Sequence, residues 1–373
     1  MLANFPTSSY AAAFGGALGT CILLFLSGPF VKMLLRDRND ARAVQASHCV
    51  DRLRLGGIGI LTGFLLGLAL SESDPAKFVG FVLFACALPV VIAGVLEDMG
   101  YSVKAKARLV MALVSSGLCV VTFQVWVSRG DWAPFDMLMG TPVLGIMMTI
   151  LIAGVFSHSV NLIDGMNGLC GTAIIFMLLG FAAIGHKVDA VSITMVALLI
   201  AAAIFGFLVM NWPVGLMFMG DAGAYGLGHC AIWLGILLLS ASPEIAVPAV
   251  LLVLFYPLAD TLHSVARRVA QNHGVMEPDR MHLHHKVRRG LEILWLGCGN
   301  KKVSNPFTTV FLTPFLAAPV VAGVVLWNNA TQAWIAVGIF SFLFAMTHVV
   351  AIVMTKRLRK RPEISSEVVS AAE

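Results

Sequence analysis

Four short polar motifs hold the acids, amides and histidines of this chain that could carry out chemistry. They read LED at 96–98, NLIDGMNG at 161–168, FMGDAG at 218–223 and PDRMHLHH at 278–285, within a sequence that is otherwise almost continuously apolar. Ionisable groups are costly to place in a bilayer, so several of them together indicate a functional site. Their oxygens and nitrogens are the groups that bind a hard divalent cation and a diphosphate.

Each motif also has a purely structural interpretation when it is taken alone. Asp221 could be the N-cap of the apolar helix that follows it. Asn161, Asp164 and Asn167, with two glycines between and after them, could form a turn between helices. The acids of LED could be a solvated helix end, and the histidines could form one polar stripe of a helix. Only the motifs' common location, derived below, favours the functional interpretation.

The composition requires elements that cross a membrane. Hydrophobic residues make up 58% of the 373 residues, charged residues make up 12%, and the mean hydropathy is +0.88. A soluble domain of this length carries far more charge, so we predict an all-α, polytopic transmembrane helical bundle and no nucleic-acid partner. Residues 1–9 lack the basic start of a cleavable signal, so we expect the first helix to be retained.

Apolar windows of about 18 to 22 residues, the length that spans a bilayer, can be placed eleven times, with ten as the fallback count. The windows are 9–35, 55–73, 77–96, 108–128, 143–161, 168–186, 190–211, 222–240, 245–263, 307–327 and 333–354.

Lys and Arg are distributed unevenly between alternate loops. Only Lys77, Arg129 and Lys187 of the 25 fall in one set of loops, and all the others fall in the second set or in the C-terminal tail. The positive-inside rule places the basic loops in the cytoplasm, so we predict an external N-terminus and a cytoplasmic C-terminus. All four motifs then lie at the cytoplasmic face, and this coincidence groups them into one site.

We therefore expect one transmembrane catalytic domain over residues 1–355 and a basic, disordered tail over 356–373. Its predicted cytoplasmic loops are 36–54, 97–107, 162–167, 212–221 and 264–305.

Carboxylates alone would repel a phosphate, and a divalent cation resolves that conflict. Mg²⁺ takes one or two oxygens from protein and completes its shell with water and substrate phosphate, so Asp221, Asp98 and Asn161 are the expected donors. Mn²⁺ is an alternative. Basic and imidazole groups would bind the diphosphate, and the candidates are Lys104, Lys106, Arg280, His282, His284 and His285. Zinc is a competing interpretation of the H-x-H-H spacing, although His284 and His285 point apart on a helix.

Together, LED followed by SVKAKARL, then NLIDGMNGLCG, FMGDAG and PDRMHLHH, resemble the motifs of the polyprenyl-phosphate N-acetylhexosamine-1-phosphate transferases, also called glycosyltransferase family 4. The resemblance covers residues 50–290 or thereabouts. The H-x-H-H form is more similar to the WecA-type enzymes, which begin surface polysaccharides, than to the MraY type. MraY-type enzymes make peptidoglycan lipid I and typically carry three consecutive histidines.

The resemblance implies a reaction, a location and a set of residue roles. A UDP-N-acetylhexosamine gives its sugar-1-phosphate to undecaprenyl phosphate at the cytoplasmic face of a bacterial inner membrane, and UMP leaves. Asp221 matches the Mg²⁺ ligand, with Asn161 beside it. Asp98 matches the second acid of an Asp-Asp pair, and Asp164 matches the acid that orders the nucleotide-sugar pocket. Asn167 is expected to bind substrate, and the histidine motif matches a loop that contacts the diphosphate or the sugar.

Glu97 departs from the family pattern, which has aspartate there, and the segment after 291 also differs from the usual continuation. A phosphate monoester is mostly dianionic at pH 7 and can attack without a base. Glu97 and Asp98 are therefore interpreted first as positioning and metal-linked groups, and second as general bases.

Other functions remain open to the sequence. An MraY-type phospho-N-acetylmuramoyl-pentapeptide transferase is the nearest alternative, and an ion-coupled transporter is an alternative from another class. Transporter sites lie near the bilayer midplane on related repeats, whereas these motifs gather at one face. A non-catalytic scaffold would tolerate loss of Asp221 and Asp98. The sequence also allows oligomers.

Overall fold

Helices form nearly all the secondary structure of the residues that the computed structural model describes, which are 7–34, 52–272, 281–296 and 300–359. Within these ranges there is no strand. The α-helices are α1 (Thr7–Leu26), α2 (Gly28–Leu34), α3 (Gly56–Ala69), α4 (Asp74–Asp98), α5 (Ala105–Phe123), α6 (Ala133–Met139), α7 (Pro142–Leu162), α8 (Leu169–Lys187), α9 (Val191–Asn211), α10 (Gly220–Ala241), α11 (Val247–Val253), α12 (Phe255–Ala270), α13 (Leu283–Leu291), α14 (Lys301–Val325) and α15 (Ala330–Arg359). A π-helical turn, Glu292–Leu296, follows α13.

Nine helices of the described residues are long and apolar enough to cross a membrane, and the count is ten if the bent pair α11–α12 is one span. The prediction of an all-α membrane bundle is confirmed. The larger of the two counts equals the fallback count of ten, and it does not include α3, which would be an eleventh crossing. The window 55–73 corresponds to α3, which has only 14 residues. Such a helix rises about 21 Å, less than a bilayer core of roughly 30 Å.

Two other predicted windows are divided in the structure. The window 9–35 becomes α1 and α2, which are separated at Ser27. The window 245–263 becomes α11 and α12, whose axes differ by 83°. Pro257 explains the second break, because its ring clashes with the carbonyl of Val253 and it has no N–H to donate there. The remaining windows correspond to single helices. At the C-terminus, α15 continues to Arg359, and the rest of the tail lies outside the described residues.

Helix α10 lies at the centre of the bundle, and 94% of its apolar window is buried. It packs against α3, α4, α7 and α8. Small residues make this close approach possible: a Cβ added to Gly57 would lie 2.3 Å from the Gly223 nitrogen, and one added to Gly94 would lie 2.5 Å from the Ala222 Cα. Backbone contact of this kind is typical of helices packed in membranes.

The backbone just before α10 pairs with the segment before α3. The Phe218 N–H donates to the Leu53 carbonyl at 2.9 Å, and the Gly56 and Gly57 N–H groups donate to the Phe218 and Met219 carbonyls at 2.9 and 2.8 Å. Gly220 begins α10 with φ of 79°, a conformation that glycine adopts without strain. These contacts fix where the FMGDAG motif presents its acid.

Candidate active site

Asp221 lies in the first turn of α10 and is buried between two arginines. Its Oδ1 is 3.1 Å from Arg54 Nη2, and its Oδ2 accepts a hydrogen bond from Arg108 Nη1. Arg108 Nη1 also lies 4.0 Å from Glu97 Oε1. Neither arginine was among the site residues predicted from the sequence. The structure shows that these two guanidinium groups, rather than exposed lysines, neutralise the buried acid.

Asp98 caps helix α10 from the end of α4. Its Oδ1 accepts from the Asp221 backbone N–H and its Oδ2 from the Ala222 backbone N–H, both at 2.9 Å. Met219, which precedes the helix, has no side chain that can cap it. A carboxylate at a helix N-terminus satisfies orphan N–H groups and complements the helix dipole. The structure therefore gives Asp98 a structural role beside the metal-linked role that we expected, and it moves the cap from Asp221 to Asp98.

Glu97 is buried and holds the turn that leads into α5. Its Oε2 accepts from the Val103 backbone N–H at 2.6 Å, while Oε1 faces Arg108. This arrangement supports the positioning role that was given first. Lys104 and Lys106, expected to bind substrate, are both exposed on the same segment.

Asn161 reaches the acids through an aromatic neighbour. Its side chain hydrogen-bonds Tyr225, whose hydroxyl lies 3.2 Å from His158 Nδ1. The Arg108 guanidinium lies 5.8 Å from the centre of the Tyr225 ring, within range of a cation–π contact. Tyr225 and His158 were absent from the predicted site. Helical spacing was the available signal, because Tyr225 lies four residues after Asp221 and therefore shares its helix face.

Asp164 lies in the loop between α7 and α8 and is half-buried. Burial raises the pKa of this carboxyl to about 7; the nearby Asp221 charge also raises it, while Arg54 and the Gly220 backbone N–H lower it. Asp164 belongs to the loop before α8, Arg54 to the segment before α3, and Gly220 and Asp221 to the first turn of α10. The structure thus brings the acid of NLIDGMNG to the acid of FMGDAG.

Asn167, expected to bind substrate, has a different set of partners. Its Nδ2 donates to the Pro213 carbonyl at 2.9 Å, and its backbone N–H donates to Asn305 Oδ1 at 2.7 Å. Its carbonyl accepts from Thr309 Oγ1 at 2.7 Å. These hydrogen bonds join the loop to the segment after α9 and to α14, so in this structure Asn167 serves to anchor the loop.

The histidine motif begins helix α13 and is organised by Asp260 of α12. His282 Nδ1 lies 2.7 Å from Asp260 Oδ2, and the Leu283 backbone N–H donates to Asp260 Oδ1 at 3.0 Å. Asp260 therefore caps α13 and orients His282 at once. No local pattern pointed to this acid, because it lies inside an apolar window 22 residues before its partner. Arg280 lies outside the described residues.

His284 connects the histidine motif with the acids. A Cβ added to Gly165 would lie 2.7 Å from His284 Nε2, so the ring packs directly on the NLIDGMNG loop. Burial lowers the pKa of His284 well below its usual value, so the ring is neutral at pH 7. Both ring nitrogens lack a hydrogen-bond partner among the described residues. His285 lies beside it, with ring centres 4.2 Å apart.

The donor atoms of this site suit a hard cation better than a soft one. Among the described residues, no group of three or more His, Cys, Asp and Glu could hold a metal ion by itself. A zinc cage would need such a group. Mg²⁺ needs only one or two protein oxygens, and Asp221 with Asn161 can supply them. The residues present therefore fit Mg²⁺.

Comparison with known proteins gives a consistent result. Residues 80–239 match the model of Glycosyl transferase family 4, a segment that contains three of the four motifs. A probable undecaprenyl-phosphate N-acetylglucosaminyl 1-phosphate transferase of Bacillus subtilis is 28% identical over 246 residues, 63% of this chain and 65% of the relative. An undecaprenyl-phosphate alpha-N-acetylglucosaminyl 1-phosphate transferase of Yersinia pestis is 28% identical over 250 residues, with the same coverage.

A decaprenyl-phosphate N-acetylglucosaminephosphotransferase of Mycobacterium tuberculosis is 26% identical over 361 residues, 83% of this chain and 86% of the relative. The matches to the Bacillus and Yersinia proteins span just under two thirds of those relatives' length. The resemblance that the motifs indicated is confirmed.

Proposed function

We propose, from the premise that residues 80–239 belong to glycosyl transferase family 4, that this multi-pass membrane protein is a phosphoglycosyltransferase. It transfers N-acetylhexosamine-1-phosphate from a UDP-sugar to a polyprenyl phosphate such as undecaprenyl phosphate. UMP is released, and the lipid-linked sugar diphosphate starts the synthesis of a cell-surface polysaccharide. The relatives are named as transferases that act on undecaprenyl or decaprenyl phosphate, which supports this acceptor.

One observation carries the proposal: the buried Asp221 carboxylate and two arginines meet at the N-terminus of α10. Guanidinium groups favour phosphate oxygens. The neutral His284 ring and Asp164 adjoin the same place from α13 and from the loop before α8. A nucleoside diphosphate held there would have its phosphates facing the guanidinium groups of Arg54 and Arg108.

The reaction needs charge compensation more than it needs a base. An oxygen of the acceptor's phosphate attacks the β-phosphorus of the donor, the bond from that phosphorus to the UMP oxygen breaks, and UMP leaves. The acceptor is already mostly dianionic at pH 7, so no proton is transferred in this step. Arg54 and Arg108 would stabilise the negative charge that spreads over the phosphoryl oxygens. Asp98 and Glu97 would hold α10 and Arg108 in place.

The expected cofactor is Mg²⁺, held by Asp221 with Asn161 beside it. When bound, the ion neutralises diphosphate charge and orients the leaving group. Asp221 is suited to this role because its partners are two side chains that can move to other anions. Asp98, in contrast, accepts hydrogen bonds with both carboxylate oxygens from backbone N–H groups of α10. Mn²⁺ has similar preferences for oxygen ligands and is the alternative ion.

We place the active site at the cytoplasmic face of a bacterial inner membrane. The support is the distribution of Lys and Arg between alternate loops, together with the gathering of the four motifs at one end of the bundle. At the headgroup level, a lipid phosphate and a soluble nucleotide can both reach Asp221.

The decisive experiment measures UMP release by the purified full-length protein. It receives Mg²⁺, undecaprenyl phosphate and, in turn, several UDP-N-acetylhexosamines and UDP-N-acetylmuramoyl-pentapeptide. We expect UMP with at least one UDP-N-acetylhexosamine. No UMP with any donor would overturn the proposal, and UMP with the pentapeptide donor alone would indicate the MraY-type activity.

Asp221→Asn tests the mechanism within the same assay. We expect UMP release to fall at least a hundredfold, as it does when a catalytic metal or charge contact is removed. Asp74→Asn is the matched control, because that side chain is 94% exposed at the opposite end of α4. Chelation of divalent ions should abolish activity and added Mg²⁺ should restore it. Full activity of Asp221→Asn would exclude this mechanism.

A further inference from the structure

A cluster of basic side chains joins α12, α13 and α15. Lys286 Nζ of α13 lies 2.6 Å from His348 Nδ1 of α15. The His348 ring also stacks on His263 of α12, with ring centres 3.8 Å apart and an interplanar angle of 12°. His348 is 2% exposed although it lies within an apolar, membrane-length helix. A histidine at such a position is costly unless it serves a specific contact.

The chemistry of the contact fixes the protonation of His348. An ammonium group has only donors, so Lys286 donates and the Nδ1 lone pair of His348 accepts. The imidazole must therefore be neutral, with its proton on Nε2. Nε2 has no hydrogen-bond partner among the described residues. The hydrogen bond to Lys286 is charge-assisted and is the polar interaction that accounts for a histidine here.

Helix α13 is consequently held at two points by two other helices. Asp260 of α12 binds its first turn through His282 and the Leu283 N–H. One turn later, His348 of α15 binds it through Lys286, whose backbone N–H bonds to the His282 carbonyl at 3.3 Å. Between the two points lies His284, the ring that packs on the NLIDGMNG loop.

We propose that His348 is a positioning residue of the transferase: by holding Lys286, it orients α13 so that His284 and His285 face the substrate. The inference rests on the proposed function. It assigns a role to the C-terminal helix, which lies outside the matched family segment of residues 80–239. His348 would act only through Lys286 and would not touch the reacting atoms.

Kinetics of two His348 variants test the proposal. Asn can place an amide oxygen where Nδ1 lies, whereas Leu fills the space without an acceptor. We expect His348→Leu to lower kcat about tenfold with KM for the UDP-sugar within about threefold, as for the loss of a charge-assisted hydrogen bond that orients a catalytic element. His348→Asn should stay within about threefold of the wild type, the range of a retained but imperfect hydrogen bond. Phe342→Leu, a change at a 65% exposed position of the same helix, is the control.

A double variant separates this role from a diffuse effect. If His348 acts through Lys286, His348→Leu should add less than about twofold to the loss caused by Lys286→Met, because neighbours in one network are not additive. Losses that multiply would overturn the proposal, as would an unchanged kcat in His348→Leu.

Amide hydrogen exchange provides a readout that does not need activity. In His348→Leu, peptides covering 283–291 should exchange faster, while peptides covering 56–69 should keep the wild-type rate. Unchanged exchange in 283–291 would overturn the proposal, and faster exchange in both regions would assign His348 a general structural role instead. If the wild type releases no UMP with any donor, the proposed function fails, while the exchange experiment still decides whether His348 holds α13.

Discussion

Asp98 and Asp221 lie side by side, yet their carboxylates have different kinds of partner. Asp98 accepts from two backbone N–H groups, which are fixed by the helix they begin. Asp221 is bound by two arginine side chains, which can rotate away. Only a carboxylate of the second kind can bind a cation and release its arginine partners to a phosphate without unwinding a helix. The structure thus separates an acid fixed in a helix cap from an acid whose partners can move, as the ligand role proposed for Asp221 requires.

Replacing Asp98 by Asn tests this distinction. The amide can accept one of the two N–H groups but presents its own NH₂ to the other. We expect the loss of a cap, about 1–2 kcal/mol of stability, together with a fall in UMP release. Thermal unfolding and the activity assay measure the two effects. The shape of the pH–rate profile should not change; loss of its acidic limb in the variant would instead identify Asp98 as a general base.

Arg108 and Lys106 provide a matched pair on one helix. Arg108 is bound to Asp221, whereas Lys106 is exposed. We expect Arg108→Ala to lower kcat/KM at least tenfold, because the contact is charge-assisted and partly buried, and Lys106→Ala to change it by less than about threefold. Steady-state kinetics with the active UDP-sugar make the comparison. Equal losses would show that the diphosphate is bound by exposed lysines.

Residue types and order were sufficient to indicate most members of the site, but not their pairings. The motifs pointed to Asp221, Asp164 and His284, and the structure brings these together. Arg54 was missed because its partner Asp221 is 167 positions away in the sequence. The periodicity of a helix relates only residues that are close in sequence, so it cannot indicate such a contact. Asn167 was included because its motif is polar, whereas its hydrogen bonds are those of a loop anchor.

At the scale of elements, the position of the site depends on how closely α3 and α4 approach α10. Gly57 and Gly223 meet across α3 and α10, and Gly94 meets Ala222 across α4 and α10. Each contact lies within three residues of Asp221 or of the acids on α4. A side chain at these crossings would displace the N-terminus of α10, which carries Asp221, relative to its cap Asp98 on α4.

Gly57→Ala is therefore expected to impair activity and stability together. The added Cβ would lie 2.3 Å from the Gly223 nitrogen, so the helices must separate. Overpacking of this kind costs about 1–3 kcal/mol. Gly15→Ala in α1 is the matched control, because a Cβ there meets nothing within 4 Å. The temperature of thermal unfolding and the rate of UMP release should both fall for Gly57→Ala but not for Gly15→Ala. Unchanged values in Gly57→Ala would show that α10 can shift without loss of stability or activity.

The lengths of the apolar segments identified most of the helices, because any helix that crosses the hydrocarbon core needs about 20 apolar residues in every fold. Segment length did not predict the structure where a break within the segment changes the direction of the helix. Pro257 lies within an apolar window, and its effect is an 83° bend that releases α12 to carry Asp260 to the histidine motif. Hydropathy cannot detect the direction of a bend. The same limit applies to α3, whose window included turn residues on both sides.

At the scale of the whole molecule, the proposed orientation in the membrane is based on the distribution of charge and can be tested on a single helix. Residue 72 precedes α4 and residue 104 follows it, and both side chains are exposed. In intact cells, an impermeant maleimide should label Glu72→Cys, and it should label Lys104→Cys only after permeabilisation. The five described cysteines are buried, and the unsubstituted protein gives the background. The reverse pattern would place the active site outside.

The 14-residue helix α3 has a consequence for the lipid around it. A segment about 9 Å shorter than the hydrocarbon core creates a hydrophobic mismatch. Membranes accommodate such a mismatch by local thinning. Because α3 begins where the Phe218 and Met219 carbonyls receive its first N–H groups, we expect the thinning around α3 to extend to the N-terminus of α10. Such thinning would bring lipid headgroups closer to Asp221 and would shorten the distance to the proposed acceptor, a lipid phosphate.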